Sequence, residues 1–353
     1  MISLSPVFHV VKAIASAVAL CGAVAMASPS AVQAQGFELV GARPRGMGGA
    51  FVAVADDASA TWWNPAGLPS TLVFDGVADI SALNSVPDRP IETAGTAGQD
   101  RALLVAASFP VAALSYTRVH QWRLDPMPTA GPSGGRQEGG RVPTARSLLT
   151  QHFGVSLAQS LGDAVVVGVT ARLVRGGVSS AAAASGPVDE AFDAAADASR
   201  ASSTRGDVDA GVLVRVARLR LGLSGRNLAA PTFTDAEGVT WTLGRRVRAG
   251  VAVVADADRA GRQAWVVAAD ADLTRDDQVA GTWRGIGAGV ERWMSGRRVA
   301  VRGGVEASTA GAARPAATGG VSVAVPGGFF LDVAGVAGAQ RRRGWGLSAH
   351  VMF

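Results

Sequence analysis

From Leu72 to Phe353 apolar residues recur at every second position, giving each stretch one apolar face and one small, polar or charged face. A period of two is that of a β-strand, whose successive side chains point to opposite sides. Val165, Val167, Val169, Ala171 and Leu173 share a face opposite Gly168, Thr170 and Arg172. Val208, Ala210, Val212, Val214 and Val216 oppose Asp207, Asp209, Gly211 and Arg215, and Leu219, Leu221 and Leu223 oppose Arg220, Gly222, Ser224 and Arg226. The rule continues with Val247, Ala249, Val251 and Val253 against Arg246, Arg248 and Gly250, and with Val267, Ala269, Ala271 and Leu273 against Asp270 and Asp272.

Strands are predicted near 72–83, 101–109, 112–122, 151–160, 164–175, 207–216, 219–229, 245–254, 263–274, 282–294, 298–306, 317–325, 329–336 and 345–353. That is about 14 strands of roughly 9 to 13 residues, an even number of about the length that crosses a bilayer at a tilt. The connections alternate: gaps 110–111, 161–163, 217–218, 295–297 and 326–328 are short, whereas 84–100, 123–150, 176–206 and 230–244 are long. Short turns on one side and long loops on the other are the habit of bacterial outer-membrane barrels; gap 255–262 is the exception on the short side. The long gaps are rich in Gly, Pro, Ala and Ser, and the Ala-rich stretch from Ser179 to Ala201 has room for a short helix.

A soluble β-sandwich produces the same alternation with its apolar face turned inward. Three features favour a transmembrane, all-β antiparallel barrel. The chain ends Trp345-Gly-Leu-Ser-Ala-His-Val-Met-Phe353, an alternating strand closing on an aromatic residue, as in a membrane-insertion signal read at Phe353. The apolar faces use Val, Leu and Ala with few large core fillers, which lipid contact permits and a packed interior usually does not. Trp122, Trp265, Trp283, Trp293 and Trp345 fall near predicted strand ends, where an interfacial girdle sits.

Composition sharpens this picture. Of 353 residues, 48% are hydrophobic and 17% charged, with 45 glycines; this rules against a disordered chain and against an ordinary charged soluble enzyme. The net charge of +5 is spread along the chain, so nucleic acid is not an expected partner. Lys12 precedes an apolar run from Ala13 to Ala27, and small-residue sites follow at Ala25-Met26-Ala27 and Val32-Gln33-Ala34. Residues 1–34 therefore read as a signal peptide cleaved after Ala34, which leaves the exported chain without Cys21, its only cysteine.

Residues 35–69 break the two-residue period. They carry Gly46-Met47-Gly48-Gly49-Ala50-Phe51, then Ala55-Asp56-Asp57, then Asn64-Pro65-Ala66-Gly67-Leu68. This text, in this order and spacing, resembles the N-terminal signature of the FadL-like superfamily of outer-membrane barrels, especially its PorV/PorQ-type branch. The resemblance continues more weakly through Arg220 to Asn227 and into the last strand. It implies a 14-stranded barrel, residues 70–353, with residues 35–69 folded inside as a plug or hatch. Gly46, Gly48 and Gly49 permit positive φ and close packing against a wall; Asp56, Asp57 or Ser59 is placed to cap a short helix from Ala60 to Trp62; and Pro65 forces Asn64 out of the helical region into a turn. Gly46, Gly48, Gly49, Phe51, Asp56, Asp57, Trp62, Trp63, Asn64, Pro65 and Ala66 are the candidates for gating or ligand contact, with simple bracing of the plug as the plainer role.

The charges on the lumen parity are of mixed sign: Arg172, Asp207, Asp209, Arg215, Arg220, Arg226, Arg248, Asp270, Asp272, Arg302, Glu306 and Asp332. Asp207 and Asp209 beside Arg220 and Arg226 predict interior ion pairs that fix barrel and plug, rather than the one-sign ring of a selective pore. Gly285-Ile-Gly-Ala-Gly289 lies within an alternating strand and reads as a glycine-lined lumen face rather than a nucleotide loop. His120, His152 and His350 fall on separate strands without metal-ligand spacing, and no nucleophile, base and acid converge, so no enzyme, cofactor or metal is expected. The family resemblance implies passive uptake of small hydrophobic, fatty-acid-like molecules across the outer membrane of a Gram-negative-type bacterium. The alternative is a PorV/PorQ-type secretion accessory that docks other proteins. The partners implied are outer-membrane lipid, the barrel-assembly machinery, a small hydrophobic ligand or a secreted protein, around a monomeric barrel.

Overall fold

The alternating stretches pair in sequence order into one closed antiparallel barrel of 14 strands. The computed structural model describes residues 32–33, 40–70, 73–86, 91, 97–125, 143–183, 185–235, 238, 240–255, 265–278, 281–294 and 296–353. The strands are β1 (Asp75–Ser85), β2 (Ala97–Ser108), β3 (Ala112–Asp125), β4 (Thr144–Leu161), β5 (Val165–Ala182), β6 (Ala201–Val216) and β7 (Leu219–Arg226). They continue as β8 (Arg246–Ala255), β9 (Trp265–Asp272), β10 (Gly285–Met294), β11 (Val299–Ser308), β12 (Ala316–Val325), β13 (Phe329–Gly338) and β14 (Arg343–Met352). Pairing of β14 with β1, from Arg343 opposite Asn84 to Met352 opposite Asp75, closes the ring and leaves no free edge. Phe353 continues this seam: its backbone N–H donates to the Phe74 carbonyl, and its ring stacks on Phe74.

Burial alternates along the strands as the sequence does, with the charges inside. Leu157, 62% exposed, and Phe153, Leu173, Val267 and Val333 all face outward, while Arg172, Asp209, Arg248, Asp270 and Arg302 are buried within. A continuous outward apolar belt on a closed barrel is the arrangement that hydrocarbon requires, because every backbone group is paired inside the sheet. The turns Gly162–164, 217–218, 296–298 and 326–328 define the short-loop end.

The strands differ from the sequence expectation mainly at the long-loop end. β4 and β5 each run 18 residues, well beyond the predicted 151–160 and 164–175, because their outer halves pair with each other up to Thr144 opposite Ala182. The predicted strand 282–294 is two elements: Gly281–Trp283 pairs with Asp276–Gln278 in a small ribbon, and β10 begins after Arg284.

Three helices are present among the described residues: α1 (Ala42–Gly46), α2 (Ala60–Trp63) and α3 (Val188–Asp197). The last lies in the Ala-rich loop, where a short helix was expected. Ala145 and Ser147 share the parity of outward Phe153 and Val155, yet they are buried, because α3 folds over the outer face of the β3–β5 overhang. Val188, Ala191, Phe192 and Ala195 of α3 pack there on Trp122, Leu124 and Ala145. On the inner face of the same overhang, the ribbon Thr232–Thr234 and Thr240–Thr242 sets Phe233 and Trp241 against Leu148, Val174 and Val178.

The tryptophan girdle is corrected by this architecture. Only Trp265 and Trp345 stand on the exposed outer wall. Trp122 is covered by α3, Trp283 is buried in its ribbon beside Arg314 and Arg342, and the Trp293 ring N–H turns to Glu291. Strand-end position does not specify an interface where the strand end is itself clothed in protein. The predicted signal peptide lies outside the described residues except for Val32–Gln33, which pair in parallel with Trp241 and Thr242.

Candidate functional site

Residues 40–70 enter the barrel before β1 and run across its interior. From Val40 to Leu68 only Arg43 and Asp56 escape full burial. A backbone in a barrel needs partners for its N–H and C=O groups, and the wall supplies them. The Asp79 carboxylate on β1 accepts from the N–H groups of Gly41 and Ala42 at 3.1 and 2.7 Å, at the start of α1. Asp270 on β9 accepts from Phe51 and Val52 at 2.7 and 2.8 Å, and Asp75 accepts from Ala58 at 3.1 Å while bonded to His350 at 2.7 Å.

Close approach requires bare walls. A Cβ on Gly304 of β11 would come within 2.5 Å of the Gly48 nitrogen, and one on Gly168 of β5 would collide with the backbone of Pro65 and Ala66. Gly211, Gly222, Gly289 and Gly346 receive the segment in the same way. The glycine run around Gly285 is thus a docking face for backbone, not only an opening for neighbouring side chains. Gly48 and Gly49 adopt φ of 65° and 71°, where other residues are strained. Gly46 departs from expectation: it is the last residue of α1 and serves by close packing against Arg302 and Gly320.

Arg43 is the hub of the ionic core. It donates twice to Glu291 of β10, at 2.8 and 2.9 Å, and also to Asp56 at 2.6 Å and Asp57 at 2.9 Å. Glu291 accepts in turn from Arg302 at 2.6 Å, and Arg302 reaches Asp332, which also bonds Ser322. Burial by itself raises the Asp57 pKa, but Arg43, His350 and the hydrogen bond from Ser59 overcome it and hold the carboxyl below its ordinary value. The expected helix cap is not formed by Ser59 on α2; Asp57 instead accepts from the Ser59 N–H at 2.9 Å and from its hydroxyl.

The remaining charges form two more groups. Arg172 bonds Asp207 at 2.7 Å, Asp209 at 2.5 Å and Asn227 at 3.1 Å, with Arg226 3.5 Å from Asp209. Arg248 and Arg246 share Asp272, and Arg246 also holds Asp276. The expected pairing of Arg220 with Asp207 and Asp209 is corrected, since Arg220 lies 3.6 Å from Asp56 of the N-terminal segment. Glu306 pairs with Arg342 at 2.8 Å. Arg215 lies on the same inward parity beside Arg220 across the β6–β7 turn. Arg43, Asp75, Asp79 and Glu291 were not singled out from the sequence; the lumen parity of Glu291 and Asp79 was readable, but nothing local joined them to Arg43 or Gly41.

The aromatic residues sit in the middle of the segment. Trp62 lies beneath the Arg226 guanidinium at 3.4 Å and meets His152 edge-on, while Trp63 meets Phe51 edge-on and donates to the Val40 carbonyl at 3.1 Å. Asn64 makes the predicted turn: its carbonyl oxygen accepts from Ala66 at 3.1 Å and its amide donates to Val52 at 2.9 Å and to Val212 of β6 at 3.3 Å. His120, His152 and His350 remain apart, bonded to Ser147, Thr150 and Asp75.

One sector of the inner wall is different. Ala102, Leu104 and Ala106 of β2 and Ala113 and Val119 of β3, the last two separated by Ser115 and Thr117, form a largely apolar strip that packs in one cluster with Phe51, Trp62 and Leu68; the cluster extends to Ala252, Val266 and Ala268 across the lumen. The ion pairs and hydrogen bonds of the segment described above all reach other strands. On the outside, an apolar groove of about 750 Å³ crosses Ala269, Ile286, Ala288, Val305, Ala317 and Ala337. The strands beneath it stay fully paired, Ala288 opposite Val305 and Ala317 opposite Ala337, so it is a depression in the wall and not a gap.

Solved structures of similar fold are all-barrel proteins. The Ralstonia pickettii toluene transporter TbuX aligns with TM-score 0.60 and 14% identity over 90% of this chain and 99% of its own. CymD, a monoaromatic hydrocarbon channel, aligns with TM-score 0.61 and 13% identity over 91% and 99%. The Pseudomonas putida toluene transporter TodX gives 0.54 and 12% over 92% and 98%. At such identity the likeness establishes the fold. Residues 142–272, from the approach to β4 through β9, match the family described as F plasmid transfer operon, TraF, protein. No curated protein matches the chain.

Proposed function

We propose that this protein is an outer-membrane channel for passive entry of small hydrophobic molecules, with residues 40–70 as its plug. The observation that carries this reading is the apolar strip of β2 and β3 against Phe51, Trp62 and Leu68. Contacts there are non-directional, so an apolar solute replaces them at little cost, whereas the same solute would strand buried charges if it passed beside Arg43 and Glu291. The named activity of the TbuX and TodX transporters, toluene transport, supports a hydrophobic cargo of this class.

The PorV/PorQ-type docking alternative calls for apolar side chains presented at the long-loop end. Phe192, Phe233 and Trp241 are each 1% exposed and are turned onto the wall, which supports uptake over docking. The test is entry of toluene and of a long-chain fatty acid into proteoliposomes, with glucose as the polar control. Faster entry of the hydrophobic solutes without glucose leakage is expected. Rates equal to protein-free vesicles, or equal entry of all three, would sink the proposal.

A further inference from the structure

Above the apolar belt, on one side of the barrel, the outward face becomes cationic. Arg118 of β3, Gln151 of β4, Arg175 of β5 and Thr204 of β6 lie side by side in register, and Arg101 of β2 is one step higher opposite His120. Arg101, Arg118 and Arg175 are exposed, and among the described residues none makes a salt bridge. Arg200 completes the group from the chain between α3 and β6. It is fixed by donating to Ser147 at 2.9 Å and Ser179 at 3.2 Å, while its Nε is buried without a hydrogen-bond partner among the described residues. Burial, and after it the repulsion of Arg118, hold the Arg200 pKa below its ordinary value, so these cations are crowded. Arg101 is steadied over the Trp122 ring at 5.4 Å, and Trp122 stacks on His120. The acids of α3, Asp189, Glu190, Asp193 and Asp197, are exposed and none pairs with this group among the described residues.

Directly below lies the next outward row, Val105, Tyr116, Phe153 and Leu173, in register across β2 to β5. Val105, Phe153 and Leu173 are exposed and Tyr116 is half-buried, its hydroxyl accepting from Gln151 at 3.1 Å at the boundary. Uncompensated like charges are costly unless an anion joins them, and arginine is suited to bind phosphate through two donors at once. A soluble anion would satisfy the arginines alone; a lipid satisfies the arginines with its headgroup and the row beneath with its acyl chains.

Resting on the membrane-spanning reading, we propose that Arg101, Arg118, Arg175 and Arg200 form a site for the phosphorylated headgroup of a membrane lipid in the leaflet facing the long loops. The lipid lies with its chains along Val105, Tyr116, Phe153 and Leu173.

The test places the exported chain in nanodiscs of phosphatidylcholine doped with either lipid A or phosphatidylglycerol, and native mass spectrometry reads the lipid retained. The native chain is expected to keep the phosphorylated anionic lipids over phosphatidylcholine. Retention is expected to fall about fivefold for each arginine removed in Arg101→Gln, Arg118→Gln and Arg175→Gln. The corresponding lysine variants, which keep the charge, are expected to restore most of it, and this separates loss of binding from loss of folding. Undiminished retention by the triple glutamine variant would overturn the site. So would inorganic phosphate binding as tightly as lipid A in detergent, or capture of an acidic protein with indifference to lipid. A chain that fails to float with vesicles defeats the membrane-spanning reading itself, whereas insertion without headgroup preference defeats only this proposal.

Discussion

The two sides of the lumen hold the same segment by opposite means. Toward β8–β12 the segment is fixed by Arg248, Asp270 and Glu291, the last held by Arg302, and its backbone lies against glycines. Toward β2 and β3 it meets Leu104, Val119 and alanines. Ionic and hydrogen-bonded contacts are directional and fail when displaced, while apolar contacts slide and exchange. The difference teaches that one barrel can anchor its occupant and still offer a yielding side: on β8 and β9 apolar Ala252, Val266 and Ala268 are interleaved with Arg248 and Asp270, whereas on β2 and β3 the apolar contacts stand without an ion pair to the segment among those described above.

The largest expected effect comes from removing the contrast altogether. Deletion of residues 40–70 removes no residue of the 14 barrel strands. It is expected to convert a sealed barrel into an ion-conducting pore in planar bilayers, because the lumen left behind is lined by charge and fills with water. Conductance no greater than that of the intact protein would show that the segment is not what closes the lumen.

Next in size is the anchored side. Glu291→Ala leaves Arg43 and Arg302 buried without their shared carboxylate, a loss of about 3–5 kcal/mol. Cys21 is the one cysteine of the sequence, so in a Cys21→Ser background an added Ala50→Cys reports exposure of the segment by thiol labelling. Labelling is expected to be fast in Glu291→Ala and slow without it; equal rates would mean that the ionic hub does not hold the segment.

On the yielding side, Leu104→Ala removes buried apolar contact worth about 2–4 kcal/mol, yet it widens the strip. Hydrophobic-solute entry is expected to rise while ion conductance stays low. A drop in entry would place the route elsewhere. The smallest effect is expected at the glycine cradle: Gly168→Ala forces the backbone of Pro65 and Ala66 to shift at about 1–3 kcal/mol, measured as a lower unfolding temperature of the barrel. An unchanged temperature would show that the Asn64–Pro65 turn does not need this wall.

Much of the barrel was legible because a strand writes its two faces into every second residue. Val165 to Leu173 and Asp207 to Arg215 carry that alternation plainly, and lipid outside with charge inside demands no further information. Strand ends were less legible. The overhang of β4 and β5 depends on α3 covering one face and the Phe233–Trp241 ribbon covering the other, so Ala145 and Ser147 look like loop residues until their cover is known. The tryptophans misled for the same reason, Trp122 being an anchor for α3 and not for an interface.

The N-terminal segment shows the same division. Its local geometry follows from residue type: Gly48 and Gly49 at positive φ, Pro65 after an extended Asn64, and the Asn64 side chain closing on Ala66. Its partners do not, because Arg43 and Glu291 are separated by 248 positions, and Gly41 and Asp79 by 38. By itself the sequence determined the strand period, the number of strands, the side of the sheet each charge occupies and the turns of the segment, all of which are short-range consequences of backbone and side-chain shape. Only the tertiary structure decided which arginine meets which carboxylate, as when Arg220 turns to Asp56 and Arg172 takes Asp207 and Asp209. Those choices depend on the stagger of the closed sheet and on what fills its interior, and both exist only once the ring is shut.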